Sequence, residues 1–235
     1  MTASSYAPVG ENIKTRWAAE VSPENARTEY PRPQMVRKDW KCLNGLWNYA
    51  VTPASAEAMP SEADGQILVP FCIESSLSGV SRRMGADEIL WYQTTVEAPA
   101  KWTGKRILLH FDAVDWQAEV FVNDALAVKH TGGYTAFEVD LTEALASGPA
   151  DIKVRVWDPT DDPAYSIPRG KQVSDPSGIW YTPVTGIWQS VWLEAVCAEA
   201  HIKDYNVVSA LDGTLKVDVS VDGEADEVRV EVAHS

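Results

Sequence analysis

The chain has 235 residues, of which 45% are hydrophobic, enough for one large domain or for one domain and part of another. Its formal net charge of −14 repels phosphate backbones and anionic bilayers, which argues against nucleic acid and membranes as partners. No apolar run nears the ~18 residues that span a bilayer, and the start, MTASSYAPVGENIKTRW, has no basic n-region or apolar h-region, so the sequence reads as cytoplasmic, or as periplasmic or secreted if a signal was removed.

Residues 1–29 are polar and non-periodic and are expected to cross the surface as an extended arm. Period-two segments follow. In KRILLHF, Ile107, Leu109 and Phe111 share a face; in EVFVNDALAV, two β-rich runs flank Asn123-Asp124, a hairpin pattern. DIKVRVW sets Ile152, Val154 and Val156 opposite Lys153, Arg155 and Trp157. Only LTEALAS carries a helical pattern, of about two turns, and GIWQSVWLEAV reads as one more strand. Short strands punctuated by Gly and Pro predict an all-β fold, an antiparallel sandwich. After EAVCAEAHIKD the pattern changes to three clean strands, IKDYNVVSA, TLKVDVSV and EVRVEVA. A sandwich needs about seven, so these are expected to be part of a second β-domain.

Little metal or nucleophile chemistry is visible. Cys42, Cys72 and Cys197 are odd in number and far apart, which points to partly buried thiols and away from a disulfide framework or zinc site. His110, His130, His201 and His234 show no ligand spacing, and His110 reads as a packed strand residue. HTGGY reads as a turn that needs Gly132 and Gly133. Glu74, Asp115, Asp158, Asp161 and Asp162 read as solvated loop and turn acids. No metal and no cofactor is expected.

The segment SGIWYTPVTGIWQSVWLE holds three tryptophans. On the strand reading, Trp188 and Trp192 share one face and Ile187, Val191 and Leu193 the other, so both faces must be covered and the two tryptophans are scaffold. Trp180 and Tyr181 precede the Pro183 break on a rim loop, where an indole beside a phenol suits the C–H face of a pyranose; packing against another domain is the alternative. Arg169 and Lys171 in PRGKQV, and Arg82 with Arg83 in SGVSRRMGADE, can bind hydroxyls or a carboxylate, or serve as surface charge or interdomain ion pairs.

Seven stretches in order resemble one known family: EYPRPQMVRKDWKCLNGLWNYAV, VPFCIESSLSGV, LWYQTTV, LLHFDAVDWQAEVFVND, HTGGYTAFEVDLT, PRGKQV and SGIWYTPVTGIWQSVWLE. They are similar to the N-terminal sugar-binding domain of glycoside hydrolase family 2, which includes β-galactosidases, β-glucuronidases and β-mannosidases, over about Trp17 to Val196. The resemblance implies a jelly-roll (galactose-binding-like) β-sandwich over residues 30–197, a partial immunoglobulin-like β-sandwich over 198–235, and a catalytic (β/α)8 barrel beyond. The family's retaining members use two carboxylates about 5 Å apart. The acid/base is the Glu of an Asn-Glu pair, and no Asn-Glu occurs here, so no catalytic residue is expected in this chain. In the better-known members an Asp six residues before the Gly of the Gly-Ile strand contacts the sugar; counted from Gly186 that position is Trp180, a departure from the pattern. The implied function is the non-catalytic front of a glycosidase, with carbohydrate and the enzyme's own barrel as partners. A free-standing carbohydrate-binding module and a structural interaction domain are the alternatives, and self-association stays open.

Overall fold

Alternating side chains become strands over most of the chain in the computed structural model, which describes residues 6–10 and 13–233. The first half holds β1 (Trp40–Cys42), β2 (Gly45–Pro53), β3 (Gly65–Val69), β4 (Glu88–Val96), β5 (Arg106–Phe111), β6 (Val114–Asp115), β7 (Gln117–Val122), β8 (Ala125–Thr131) and β9 (Phe137–Asp140). After α1 (Thr142–Ala146) come β10 (Ala150–Trp157), β11 (Gly186–Ile187), β12 (Val191–Val196), β13 (Ala200–Ser209) and β14 (Leu215–Gly223). A six-stranded sheet in the order β3-β2-β4-β10-β7-β8 faces a four-stranded sheet in the order β1-β12-β5-β9. All their pairings are antiparallel. This is the predicted all-β sandwich.

The core lies between the sheets. Ile107, Leu109 and Phe111 of β5 pack with Ile152, Val154 and Val156 of β10 and with Leu90 and Tyr92 of β4. Burying such side chains contributes about 1.5–3 kcal/mol each. The hairpin at Asn123-Asp124 forms as expected: both residues have positive φ, 49° and 65°, the left-handed geometry that a two-residue turn needs. On the outer face of the six-stranded sheet, Trp91 packs with Ala50 and Ile89 in a second small cluster.

Both faces of the four-stranded sheet are covered, because residues 30–37 cross its outer side. The anchor is Glu194 of β12, fully buried, which accepts from Tyr30 Oη at 2.5 Å and Arg32 Nη2 at 2.6 Å. Arg37 Nε lies 2.8 Å from the same carboxylate, Trp192 Nε1 donates to it at 2.9 Å, and His110, stacked on Trp192, approaches at 3.4 Å. Burial pushes the Glu194 carboxyl up, but the bonds from His110, Tyr30 and Trp192 overrule it and hold the group far below the usual range. His110 is thus a packed strand histidine, as read.

Five local expectations need correction. GIWQSVWLEAV is not one strand: β11 pairs with β6 and β12 with β5 and β1, with Trp188–Ser190 between them. Trp192 is fully buried while Trp188 is half-buried, so they do not share a strand face. Helix α1 makes little more than one turn. The arm is not simply extended, since Arg16–Glu20 forms a 3-10 turn that buries Ala18. Finally, β13 and β14 pair with each other, but Glu227–Ala233 joins neither; Val228, Val230 and Val232 line a groove with Val217 and Val219 of β14 without ladder bonds. Cys42, Cys72 and Cys197 are free thiols, Cys197 exposed. His234 lies outside the described residues.

Candidate functional site

One end of the sandwich gathers the long connection from β10 to β11, the loop after β3, the β8–β9 turn and Asp115 of β6. Pro and Gly keep residues 158–185 out of the ladders, and side chains lock them instead. Lys171–Val173 runs beside Tyr181: Tyr181 N donates to Lys171 O at 2.9 Å and Val173 N to Tyr181 O at 3.0 Å. Gln172 is the tie. Its Oε1 accepts from Val184 N at 2.6 Å, and its Nε2 reaches Tyr134 Oη at 3.5 Å. Trp188 Nε1 donates to Gly133 O at 2.8 Å, and its ring meets Tyr134 edge-on at 5.9 Å.

This frame presents an aromatic, polar surface. Trp180 is 43% exposed and Tyr181 65% exposed, with Ile179 and Tyr134 also open to solvent. Lys171 stands in the same strip and its side chain makes no hydrogen bond or ion pair among the described residues. Arg169 is half-buried near Asp161, whose carboxyl is lowered by bonds from Ser174 and by that guanidinium. Arg82 is engaged elsewhere, paired to Glu88 at 2.5 Å, while Arg83 donates to Ser174 O at 2.9 Å and so ties the two loops. The structure therefore brings Trp180, Tyr181 and Lys171 together, sets Arg169 beside them on the chain, and spends Arg82 on an ion pair.

Beneath the loops the acids depart from expectation. Asp161 and Asp162 are turn acids, accepting from Ser174 N and Ala164 N. Glu74, Asp115 and Asp158 are buried. Thr185 links two of them: its N–H donates to Glu74 Oε2 at 2.9 Å and its hydroxyl to Asp158 Oδ2 at 2.8 Å. Asp158 also accepts from Thr160 N at 2.8 Å and Thr160 Oγ1 at 3.2 Å. Burial, with repulsion from Asp158, pushes both Glu74 and Asp115 up to about 7. Burial also raises Asp158, against the threonine bonds. Raised carboxyls in a loop cluster invite a catalytic reading. Here both Asp158 oxygens and one Glu74 oxygen are consumed in holding the loop, so these two acids read as a clasp.

Two glycines make this close packing possible. A Cβ on Gly133 would sit 2.5 Å from Asp115 Cγ, and one on Gly186 would sit 2.0 Å from Tyr92 Oη, at a φ of +95°. Tyr92 Oη accepts from Ile187 N at 3.1 Å, which fixes the start of β11. In HTGGY, Gly132 is required by its φ of +131° and Gly133 by lack of space. No group of metal-binding side chains occurs among the described residues.

The fold has counterparts. The family model described as "Glycosyl hydrolases family 2, sugar binding domain" matches residues 78–196. A β-galactosidase of Thermoanaerobacter pseudethanolicus is 31% identical over 128 residues, covering 54% of this chain and 16% of that protein. A β-glucuronidase of Rattus norvegicus is 25% identical over 158 residues, covering 60% of this chain and 24% of that one. A β-glucuronidase of Faecalibacterium prausnitzii superposes with a TM-score of 0.62 at 25% identity, over 84% of this chain and 38% of that structure. The chain thus spans a quarter or less of these curated relatives, and the resemblance seen in the motifs extends to the fold.

Proposed function

Because the chain belongs to glycosyl hydrolase family 2, through its sugar-binding domain, we propose that it forms the non-catalytic front of a glycosidase whose catalytic carboxylates lie on a barrel outside these residues. The carrying observation is the extent of the match, which runs to Val196 and so ends with β12, the last strand of the sandwich. On this reading residues 30–197 are the jelly-roll domain and 198–235 the start of an immunoglobulin-like one.

The domain's part in the reaction is to hold the barrel and to shape the rim of the substrate pocket. Trp180 and Tyr181 supply a stacking surface for a pyranose face, and Lys171 and Arg169 supply donors for hydroxyls or a carboxylate at its edge. Trp180 stands where better-known members carry a sugar-contacting Asp, so this rim recognises by stacking in place of a charged hydrogen bond. Arg82, a further donor on this reading, is paired to Glu88 at 2.5 Å with its side chain 43% exposed. The test has two arms. Pure chain should not hydrolyse nitrophenyl galactosides, glucuronides or mannosides, and clear turnover defeats the assignment. In the longer enzyme, Trp180→Ala should raise KM at unchanged melting temperature.

A further inference from the structure

The hairpin of β13 and β14 leaves the sandwich through residues 197–199, which are exposed and join no ladder. No described residue after Val196 is buried, so the hairpin has no buried apolar interface with the sandwich. Units joined in that way move relative to one another by default. Two arginines oppose that motion. Arg106 lies on β5 opposite Val196, where the chain departs. Its Nε lies 2.6 Å from Asp140 of β9 and its Nη1 2.8 Å from Asp222 of β14. Arg37 pairs through Nε with Glu194 at 2.8 Å and donates from Nη2 to Ile202 O of β13 at 2.5 Å. Each guanidinium therefore has one edge on the sandwich and another on the hairpin.

Both grips fall at the same end of the hairpin, since Ile202 pairs with Val221, the neighbour of Asp222. A guanidinium is planar and its donors point in fixed directions, so contacts at two edges set an angle as well as a distance. The two contacts differ in their openness to solvent. Arg106 and Asp222 are 31% and 37% exposed, within reach of salt, whereas Arg37 is 19% exposed and rests on a fully buried carboxylate. We propose that Arg37 and Arg106 form a charge-held lock on this joint. It fixes the hairpin's orientation while residues 30–37 lie docked on the sandwich, and it loosens when the pairs are broken or that segment lifts. Because Arg37 takes part in both contacts, docking of the segment and locking of the hairpin favour one another. The lock does not depend on sugar contact at the rim. One consequence does rest on the proposed function: the hairpin's heading sets where the domains that follow it meet Trp180 and Tyr181.

The test is residual dipolar couplings of the full chain in a stretched neutral gel, with alignment fitted separately for the sandwich strands and for β13 with β14. In wild type at low salt, one alignment tensor should serve both. Raising salt from ~0.01 M to ~1 M shortens the screening length from about 30 Å to about 3 Å, and the hairpin's tensor should then shrink at least ~twofold against the sandwich's. Asp222→Ala should produce the same shrinkage at low salt and leave the sandwich's melting temperature unchanged, because the residue lies outside it. Adding Arg37→Met should shrink the hairpin's tensor further. Separate tensors in wild type at low salt, a single tensor retained in the double variant, or no added effect of Arg37→Met each overturns the proposal. A fall in the sandwich's melting temperature in Asp222→Ala overturns it too, since the pair then serves the sandwich and not the joint. None of these outcomes touches the KM test of Trp180.

Discussion

Glu194→Ala should be among the most damaging single changes in the chain. The carboxylate is fully buried and meets Arg32 at 2.6 Å and Arg37 at 2.8 Å, whose side chains are only 21% and 19% exposed. Truncation strands two largely buried guanidiniums and removes the acceptor of Tyr30 and Trp192. Breaking a buried ionic network on one side costs about 3–5 kcal/mol. In a chain of this size each kcal/mol moves the melting temperature by about 2–4 °C, so a fall of roughly 6–20 °C is expected. Differential scanning calorimetry reads the fall, and limited proteolysis should show new cleavage between residues 30 and 37 as the arm lifts. Replacing the whole network with apolar groups, Arg32→Met and Arg37→Met with Glu194→Leu, should recover most of the loss, because no charge is then left stranded. A fall below about 3 °C in Glu194→Ala, or no recovery in the triple variant, refutes the claim that this carboxylate clamps the arm. The acid limb gives a second reading: a carboxyl held low in the folded state contributes fully above its ordinary value of 4.5 and loses that contribution as pH falls through the folded value. Wild type should therefore lose stability below pH 4.5 more steeply than Glu194→Ala.

Other outcomes follow from the same contacts. Glu74 is raised from 4.5 to about 7, so the folded state holds its proton more tightly than the unfolded chain, and stability falls as pH rises across that window; Glu74→Gln should flatten that fall in melting curves taken at several pH values. Trp192→Ala should cost about 3–5 kcal/mol as the loss of a fully buried indole, and Trp180→Ala within about 0.5 kcal/mol as an exposed substitution, both by denaturant unfolding. Trp188→Ala should fall between them at about 1–3 kcal/mol, the worth of one hydrogen bond plus one aromatic contact. Gly186→Ala should destabilise by about 2–5 kcal/mol from overpacking and forbidden φ, and Tyr92→Phe should relieve the steric share by removing the Oη that lies 2.0 Å from the new Cβ.

The sandwich was legible where burial follows strand periodicity. β5 and β10 alternate with the pleat, and Asn123-Asp124 carries its turn type in its own side chains. The acids were misread because their burial has another origin. Glu74, Asp115 and Asp158 are covered by residues 172–188, a connection held by Gln172 and Thr185, and no local pattern announces that a loop will fold over them. Trp188 was misplaced because the alternation of GIWQSVW continues through a segment where the chain changes sheets. The exposure of Trp180 and Tyr181 was readable from the Pro183 break.

The outer clamp also sets an order of events during synthesis. β1 pairs only with β12 within its sheet, Trp40 opposite Glu194, and Tyr30 bonds to the same glutamate across 164 positions of sequence. A ribosome adding about 5–20 residues per second needs on the order of 10–30 s to deliver the partner after the arm has emerged. Through that interval β5 and β9 can pair, and the six-stranded sheet can assemble up to β10, but residues 30–37 and β1 lack the Glu194 anchor and the β12 ladder. The nascent chain therefore carries an unpaired strand at its leading end until the last strand of the sandwich is made. Chaperones that bind extended apolar segments should find their target there, around Trp40 to Leu43, and release it only when β12 arrives.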